Sequence, residues 1–171
     1  MSTSTLLTSL FKYKAWANRE LFAEVGKLDP VLHQTERHTA VRLLNHIHVV
    51  DSIFASRLSG EATPHTGTNT AETPTLQALE TVVAATDRWY LDHVEALPPE
   101  RLPERLSFTF TDAQAGTLSR EEMLMHVITH GGYHRGAVGR IMAQLSIAPP
   151  RDIFTGYLHQ AEPQRRAPAQ G

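Results

Sequence analysis

Cysteine is absent from this chain. That excludes disulfides and thiolate ligands, so any metal would have to be held by histidine and carboxylate side chains. A cysteine-free chain suits the reducing cytoplasm, which is the expected compartment. A surplus of one charge is also missing: 16 Lys and Arg stand against 18 Asp and Glu, for a net charge of −2. The basic residues are scattered, which argues against a nucleic-acid partner. No stretch reaches the roughly 18 consecutive apolar residues that mark a membrane span. The opening Met1-Ser-Thr-Ser-Thr-Leu-Leu-Thr8 lacks a basic start and a long apolar run, so no signal peptide is expected. Also lacking are a glycine-rich phosphate loop, a His-Glu-x-x-His protease motif and a serine-centred elbow.

What the chain has in excess is histidine, ten in 171 residues. That length fits one domain with a core of its own. The apolar periodicity is helical. Leu7, Leu10, Phe11, Ala17, Leu21, Phe22 and Val25 recur at three- and four-residue steps, predicting a first helix over 5–27 that ends at Asp29-Pro30. Leu43, Ile47, Val50, Phe54 and Leu58 predict a second, over about 39–58, stopped by Gly60. Residues 61–73 form a polar, Thr-rich connection. Thr73-Pro74 then reads as an N-cap with proline at the first helical position. The third helix carries Leu76, Leu79, Val83, Tyr90, Val94 and Leu97 and closes at Pro98-Pro99. Ser107-Phe-Thr-Phe-Thr111 alternates with period two, and with Asp112-Ala-Gln-Ala-Gly116 behind it predicts a short hairpin or extended arm. Ser119-Arg-Glu-Glu122 is a capping box opening a fourth helix that runs to about Leu145. A last short helix fits 152–160, and 164–171 reads as a frayed tail. The expected fold is all-α: a four-helix bundle with a long crossover between helices two and three, occupying residues 1–160, with 161–171 a disordered tail.

The histidines on helices two and four carry the chemistry. His130 and His134 are four residues apart, so their imidazoles project side by side and can grip one ion. On helix two, His46 lies about 60–70° from the centre of the apolar stripe and His48 more than about 120° away, at roughly 100° per residue. His46 is therefore expected to face the core and His48 the solvent. On helix four, His134 falls within about 40–50° of the stripe, His130 about 80° and His126 about 120°. His46, His130 and His134 are the set that can converge. Three neutral imidazoles in a core need hydrogen-bond partners or a cation, since each unsatisfied buried polar group costs about 1–3 kcal/mol. Imidazole alone does not choose among zinc, nickel, copper and iron.

Other features are ambiguous at this level. Gly131-Gly132 either lets helix four approach a neighbour or leaves clearance over the metal. Gly136 and Gly139 invite the same question. Asp51 and Arg135 either orient site histidines or are ordinary solvated charges. Trp16 and Trp89 read as core or interface aromatics. A protonatable group near the open position would favour an enzyme, and Asp51, Glu122 and Tyr133 are the candidates for it.

Three segments sharpen the reading: Phe11-Lys-Tyr-Lys-Ala-Trp-Ala-Asn18, Leu43-Leu-Asn-His-Ile-His-Val-Val-Asp51 and His126-Val-Ile-Thr-His-Gly-Gly-Tyr-His-Arg-Gly136. With them the chain resembles the DinB/YfiT-like family of bacterial metalloenzymes over most of its length. The last segment is the most specific, being similar to the family's His-Gly-x-Tyr-His-Arg-Gly string. Two departures are Ser52-Ile-Phe54, where an Arg-Ile-Trp type sequence is common, and Ala137 in place of a frequent glutamine. The resemblance implies a four-helix bundle holding a divalent ion, nickel or zinc, on His46, His130 and His134. It also implies a homodimer acting on a small-molecule substrate. The chemistry implied is transfer or isomerisation dependent on a low-molecular-weight thiol, or hydrolysis. The rival expectation is a non-catalytic metal-binding or stress-induced bundle.

Overall fold

The first, third and fourth helices each begin where a side chain takes up a free N–H group. In the computed structural model, which describes residues 2–111 and 113–166, Ser2 accepts from Thr5 N–H and opens α1 (Thr3–Gly26). Helix α2 (Gln34–Ser59) starts earlier than its apolar pattern indicates, because the turn at Asp29 feeds it directly: Asp29 Oδ1 accepts from the backbone of Val31 and Leu32. It ends at Gly60, whose φ of 78° is a left-handed conformation that glycine adopts without steric cost. Helix α3 (Leu76–Ala96) is capped by Thr75, which accepts from Ala78 N–H. The expected cap at Thr73 is therefore displaced, and Pro74 precedes the cap instead of occupying the first turn. Helix α4 (Arg120–Gln144) has the full capping box: Ser119 Oγ accepts from Glu122 N–H, and Glu122 accepts from Ser119 N–H at 2.6 Å. A short helix α5 (Phe154–Ala161) follows, then a 3-10 turn over Pro163–Arg165. Part of the expected tail, 167–171, lies outside the described residues.

Between α3 and α4 the alternating segment forms a hairpin. Strand β1 (Arg105–Thr109) pairs antiparallel with β2 (Ala115–Ser119). Asp112, at its tip, lies outside the described residues. Gly116 is required there by space, since a Cβ would stand 2.4 Å from the Phe110 ring. The protein is thus mostly helical, with one two-stranded sheet. Helix α1 packs mainly against α3 and α4, and α2 mainly against α4 and α3. No helix among the described residues is long and apolar enough to cross a membrane.

The apolar core comes in two parts. One gathers Leu7, Phe11, Val50, Phe54, Tyr90, Val127 and their neighbours; the other gathers Leu21, Val25, Leu44, Ile47, Val83, Val138 and theirs. Each fully buried aliphatic or aromatic side chain contributes about 1.5–3 kcal/mol relative to exposure. Between the two clusters every long helix presents polar residues. Lys14 and Asn18 follow Phe11 on α1, Asp51 follows Val50 on α2, Asp87 lies between Val83 and Tyr90 on α3, and Arg135 precedes Val138 on α4. All five are buried.

Candidate metal centre

The buried polar layer has a continuous pattern of partners. Lys14 Nζ lies 2.7 Å from both Asp51 Oδ2 and Asp87 Oδ1. Asn18 Nδ2 donates to Asp87 Oδ2 at 2.8 Å, and Arg135 donates to Asn18 Oδ1 at 3.2 Å. Arg135 Nε donates to Asp152 Oδ2 at 2.8 Å, and Asp152 also accepts from the Tyr13 hydroxyl. Burial works against the Lys14 ammonium, but the Asp51 and Asp87 carboxylates outweigh it and hold its pKa above the ordinary value. One ammonium cannot balance two carboxylates. Burial accordingly pushes Asp51 up to about 6 against the pull of Lys14, and its Oδ1 has no partner among the described residues.

Beside this layer, three histidines converge from two helices. His46 comes from α2, and His130 and His134 from successive turns of α4. Each is half-buried, and a ligand atom from each lies within 4.8 Å of the other two. His46 Nε2 is 3.1 Å from His130 Nε2. Ring centroids are 4.6 Å apart for His46 and His134, and 4.5 Å for His130 and His134. Among the described residues no Asp or Glu and no further His joins them within that distance.

The polar connection between α2 and α3 sets the tautomer of His46. The Thr68 carbonyl lies 2.7 Å from His46 Nδ1. A carbonyl only accepts, so Nδ1 carries the proton and Nε2 presents a lone pair toward His130. The connection is itself clamped to α2. Arg42 donates to Thr70 O, Asn45 donates to Asn69 Oδ1 and Thr70 Oγ1, and Asn69 donates back to Arg42 O. A histidine that turns one nitrogen on a backbone carbonyl and the other on a shared centre has the disposition of a metal ligand.

Burial first, then the neighbouring His134 and His46, pushes His130 down to about 3. Burial, then His46, lowers His134. Both are neutral at physiological pH, as ligation requires. His130 Nδ1 is buried without a partner. A donor set of three imidazoles converging from two helices, with the His46 tautomer fixed by a backbone carbonyl, fits a divalent cation.

The remaining sequence candidates fall elsewhere. His48, expected in solvent, is half-buried toward α3: its Nδ1 is 3.5 Å from Thr86 Oγ1 and its ring 6.4 Å from that of His65. Burial pushes its pKa down to about 4. Helix α2 packs against two neighbours, so a wheel centred on one stripe misjudges the second buried side. His126 stacks on His130, with centroids 5.3 Å apart, and meets the Phe54 ring at a tilt, with centroids 4.6 Å apart, outside the convergent trio. Asp51 and Arg135 are neither solvated nor bonded to the histidines; they belong to the Lys14 network. Glu122 is used by the capping box. Tyr133 is 77% exposed, with its ring centroid 5.0 Å from that of His134 and the rings nearly perpendicular.

Lys14, Asn18 and Asp87, which do not stand out as site residues by type, carry a signal in their spacing. Each interrupts an apolar stripe at helical spacing, where a solvated charge does not belong. The Thr68 carbonyl had no signal, because any residue supplies one.

The DinB family model matches residues 1–167 of this chain. Protein DinB of Bacillus subtilis (strain 168) is 20% identical over 166 residues, spanning 91% of this chain and 95% of that protein. No solved structure matches.

Proposed function

The chain belongs to the DinB family, and from that premise we propose that it is a divalent-metal-dependent enzyme with nickel or zinc on His46, His130 and His134. Residues 1–160 would form a DinB-like four-helix bundle, with the connection over 60–75 as its long crossover and 161–171 as a tail. The observation that carries the reading is the convergence of three imidazole nitrogens within 4.8 Å of one another. An ion bound there supplies Lewis acidity that brings ionisation of a water or thiol toward neutral pH. The chain's own residues bind and orient. Thr68 O fixes the His46 tautomer, burial keeps His130 neutral, and the more open His134 leaves an approach beside Tyr133. With only three protein donors among the described residues, positions remain for an outside ligand, as catalytic rather than structural sites require.

The chain has no thiol of its own, so thiol chemistry takes a low-molecular-weight thiol as co-substrate. The reaction class proposed is S-transfer or hydrolysis, in the cytoplasm, by a homodimer. The second reading, a non-catalytic metal-binding bundle, is favoured by one observation: the trio joins α2 to α4, so an ion there would also tie two helices together.

Elemental analysis of protein purified without added metal tests the ligand set. His46→Ala, His130→Ala and His134→Ala should each lose the ion, while His48→Ala and His126→Ala retain it. Full occupancy in any of the first three overturns the assignment. Cobalt-substituted protein then separates the two readings: its visible spectrum should shift on adding a small thiol or azide. Indifference to both supports the non-catalytic bundle.

A further inference from the structure

A cavity whose lining includes Arg135 shares no residue with the histidine trio. It opens between α1, α4 and the segment that leads into α5. Its walls are apolar: Trp16, Ala17 and Leu21 on α1, Ala143 on α4, and Pro149 and Pro150 from the returning segment. On the α4 side two of the lining positions are glycines, which leave space. A Cβ at Gly136 would meet nothing within 4 Å, and at Gly139 the space is taken by Pro149, 3.3 Å away.

The polar groups around it are unevenly satisfied. Arg135, buried, lines the cavity, and three of its N–H groups are engaged by Asp152 and Asn18; a guanidinium has five. Arg140 and Arg151 also line it, and neither side chain forms an ion pair or hydrogen bond among the described residues. Against them stands Glu20, which lies 3.8 Å from Arg19. The Trp16 indole N–H is buried without an acceptor. The volume, about 360 Å3, is at the small end of the ~300–1,000 Å3 typical of ligand pockets.

We propose that this cavity is a binding site for a small aromatic carboxylate, with its ring between Trp16 and the two prolines and its carboxylate toward Arg140 and Arg151. Flat apolar walls suit a ring, and unpaired arginines suit a planar two-oxygen anion. The site is independent of the histidine trio and of any ion it holds.

Calorimetric titration with 2-naphthoate, and with uncharged 2-naphthylmethanol as its isostere, tests this. Wild-type protein should bind naphthoate about tenfold tighter than the alcohol. Gly136→Leu places a side chain in the cavity and should weaken naphthoate about tenfold or more. Its helix should be no less stable, since leucine is the better helix former. If Gly136→Leu does not fold, the double variant Arg140→Gln/Arg151→Gln, made at two exposed positions, carries the test. It should abolish the preference for the charged ligand. No heat of binding at millimolar naphthoate overturns the proposal. So does equal binding by wild type and Gly136→Leu, which would place the carboxylate at the histidines. If naphthoate instead dissociates a dimer in sedimentation, the cavity is a self-association face and the proposal also fails.

Discussion

Two polar clusters meet across one stretch of α4, and they resolve the cost of burial in opposite ways. In the Lys14 network opposite charges face each other: an ammonium between two carboxylates, then an asparagine, an arginine and a third carboxylate. In the histidine cluster like groups face each other, with neutral nitrogens turned inward and His130 Nδ1 unsatisfied. The first is largely satisfied by the protein itself and holds four helices in register. The second is a group that could hold a metal ion. Gly131 sits between them. A Cβ there would come within 3.1 Å of Arg135 Nη1 and 3.6 Å of Lys14 Cε, so this glycine makes room for the charged network.

The sharpest way to test that contrast is to remove the cation of the first cluster. Lys14→Met leaves Asp51 and Asp87 buried without a counter-charge and should cost about 3–5 kcal/mol in urea denaturation. A loss under about 1 kcal/mol would mean that the carboxylates are relieved by protonation or water, and the network would not be a structural device.

The second cluster should behave in the reverse manner. His130→Ala should abolish metal binding yet change the stability of the metal-free protein little. For the wild type, metal at a thousandfold excess over Kd adds about 4 kcal/mol through binding to the native state alone. Chelation should therefore lower the melting temperature and leave a helical, cooperatively melting protein by circular dichroism. Collapse of the helical signal at room temperature would show that both clusters hold the fold.

Asn45→Ala probes the clamp that presents Thr68 to His46. Outer-shell partners typically contribute 10–100-fold in metal affinity, and a loss of about tenfold is expected with helix content unchanged. Undiminished affinity in a chelator competition would mean that the connection holds Thr68 without Asn45.

Acid should separate the clusters further. His130 is neutral in the fold down to about pH 3, against an ordinary value of 6.5. Below 6.5 the unfolded chain takes up the proton first, so this contribution is full above pH 6.5 and is lost as pH falls toward 3. Asp51 runs the other way. Its pKa is raised to about 6 from 3.8, so its contribution is fullest below 3.8 and is lost as pH rises through 6. In metal-free protein, His130→Gln should flatten the loss of stability between pH 7 and 5, and Asp51→Asn should steepen it. Identical pH slopes for all three proteins would refute both assignments.

The smallest effect compares two glycines of α4. Gly136→Ala should gain about 0.5–1 kcal/mol, as expected for an unstrained helical site. Gly131→Ala should show no such gain, because the Arg135 guanidinium is pinned by Asp152 and Asn18 and cannot readily withdraw. Equal gains in thermal denaturation would show that the network yields.

Much of this was legible in the residues before any fold was known. Ser119 and Glu122 announced the start of α4, Gly60 the end of α2, and the alternation around Phe108 the hairpin. These are local: a cap or a turn residue acts within a few positions of itself. The grouping of His46, His130 and His134 was reachable from angles on two helical wheels, because each histidine lies on a flank of its own apolar stripe. Tertiary structure alone decided what those wheels could not contain. Which helices are neighbours put His48 against α3 instead of in solvent. Chain return placed Asp152 on Arg135, and the connection after α2 brought the Thr68 carbonyl to His46. Those contacts join positions distant in sequence, and a backbone carbonyl or a paired charge leaves no mark on the spacing of residues around it.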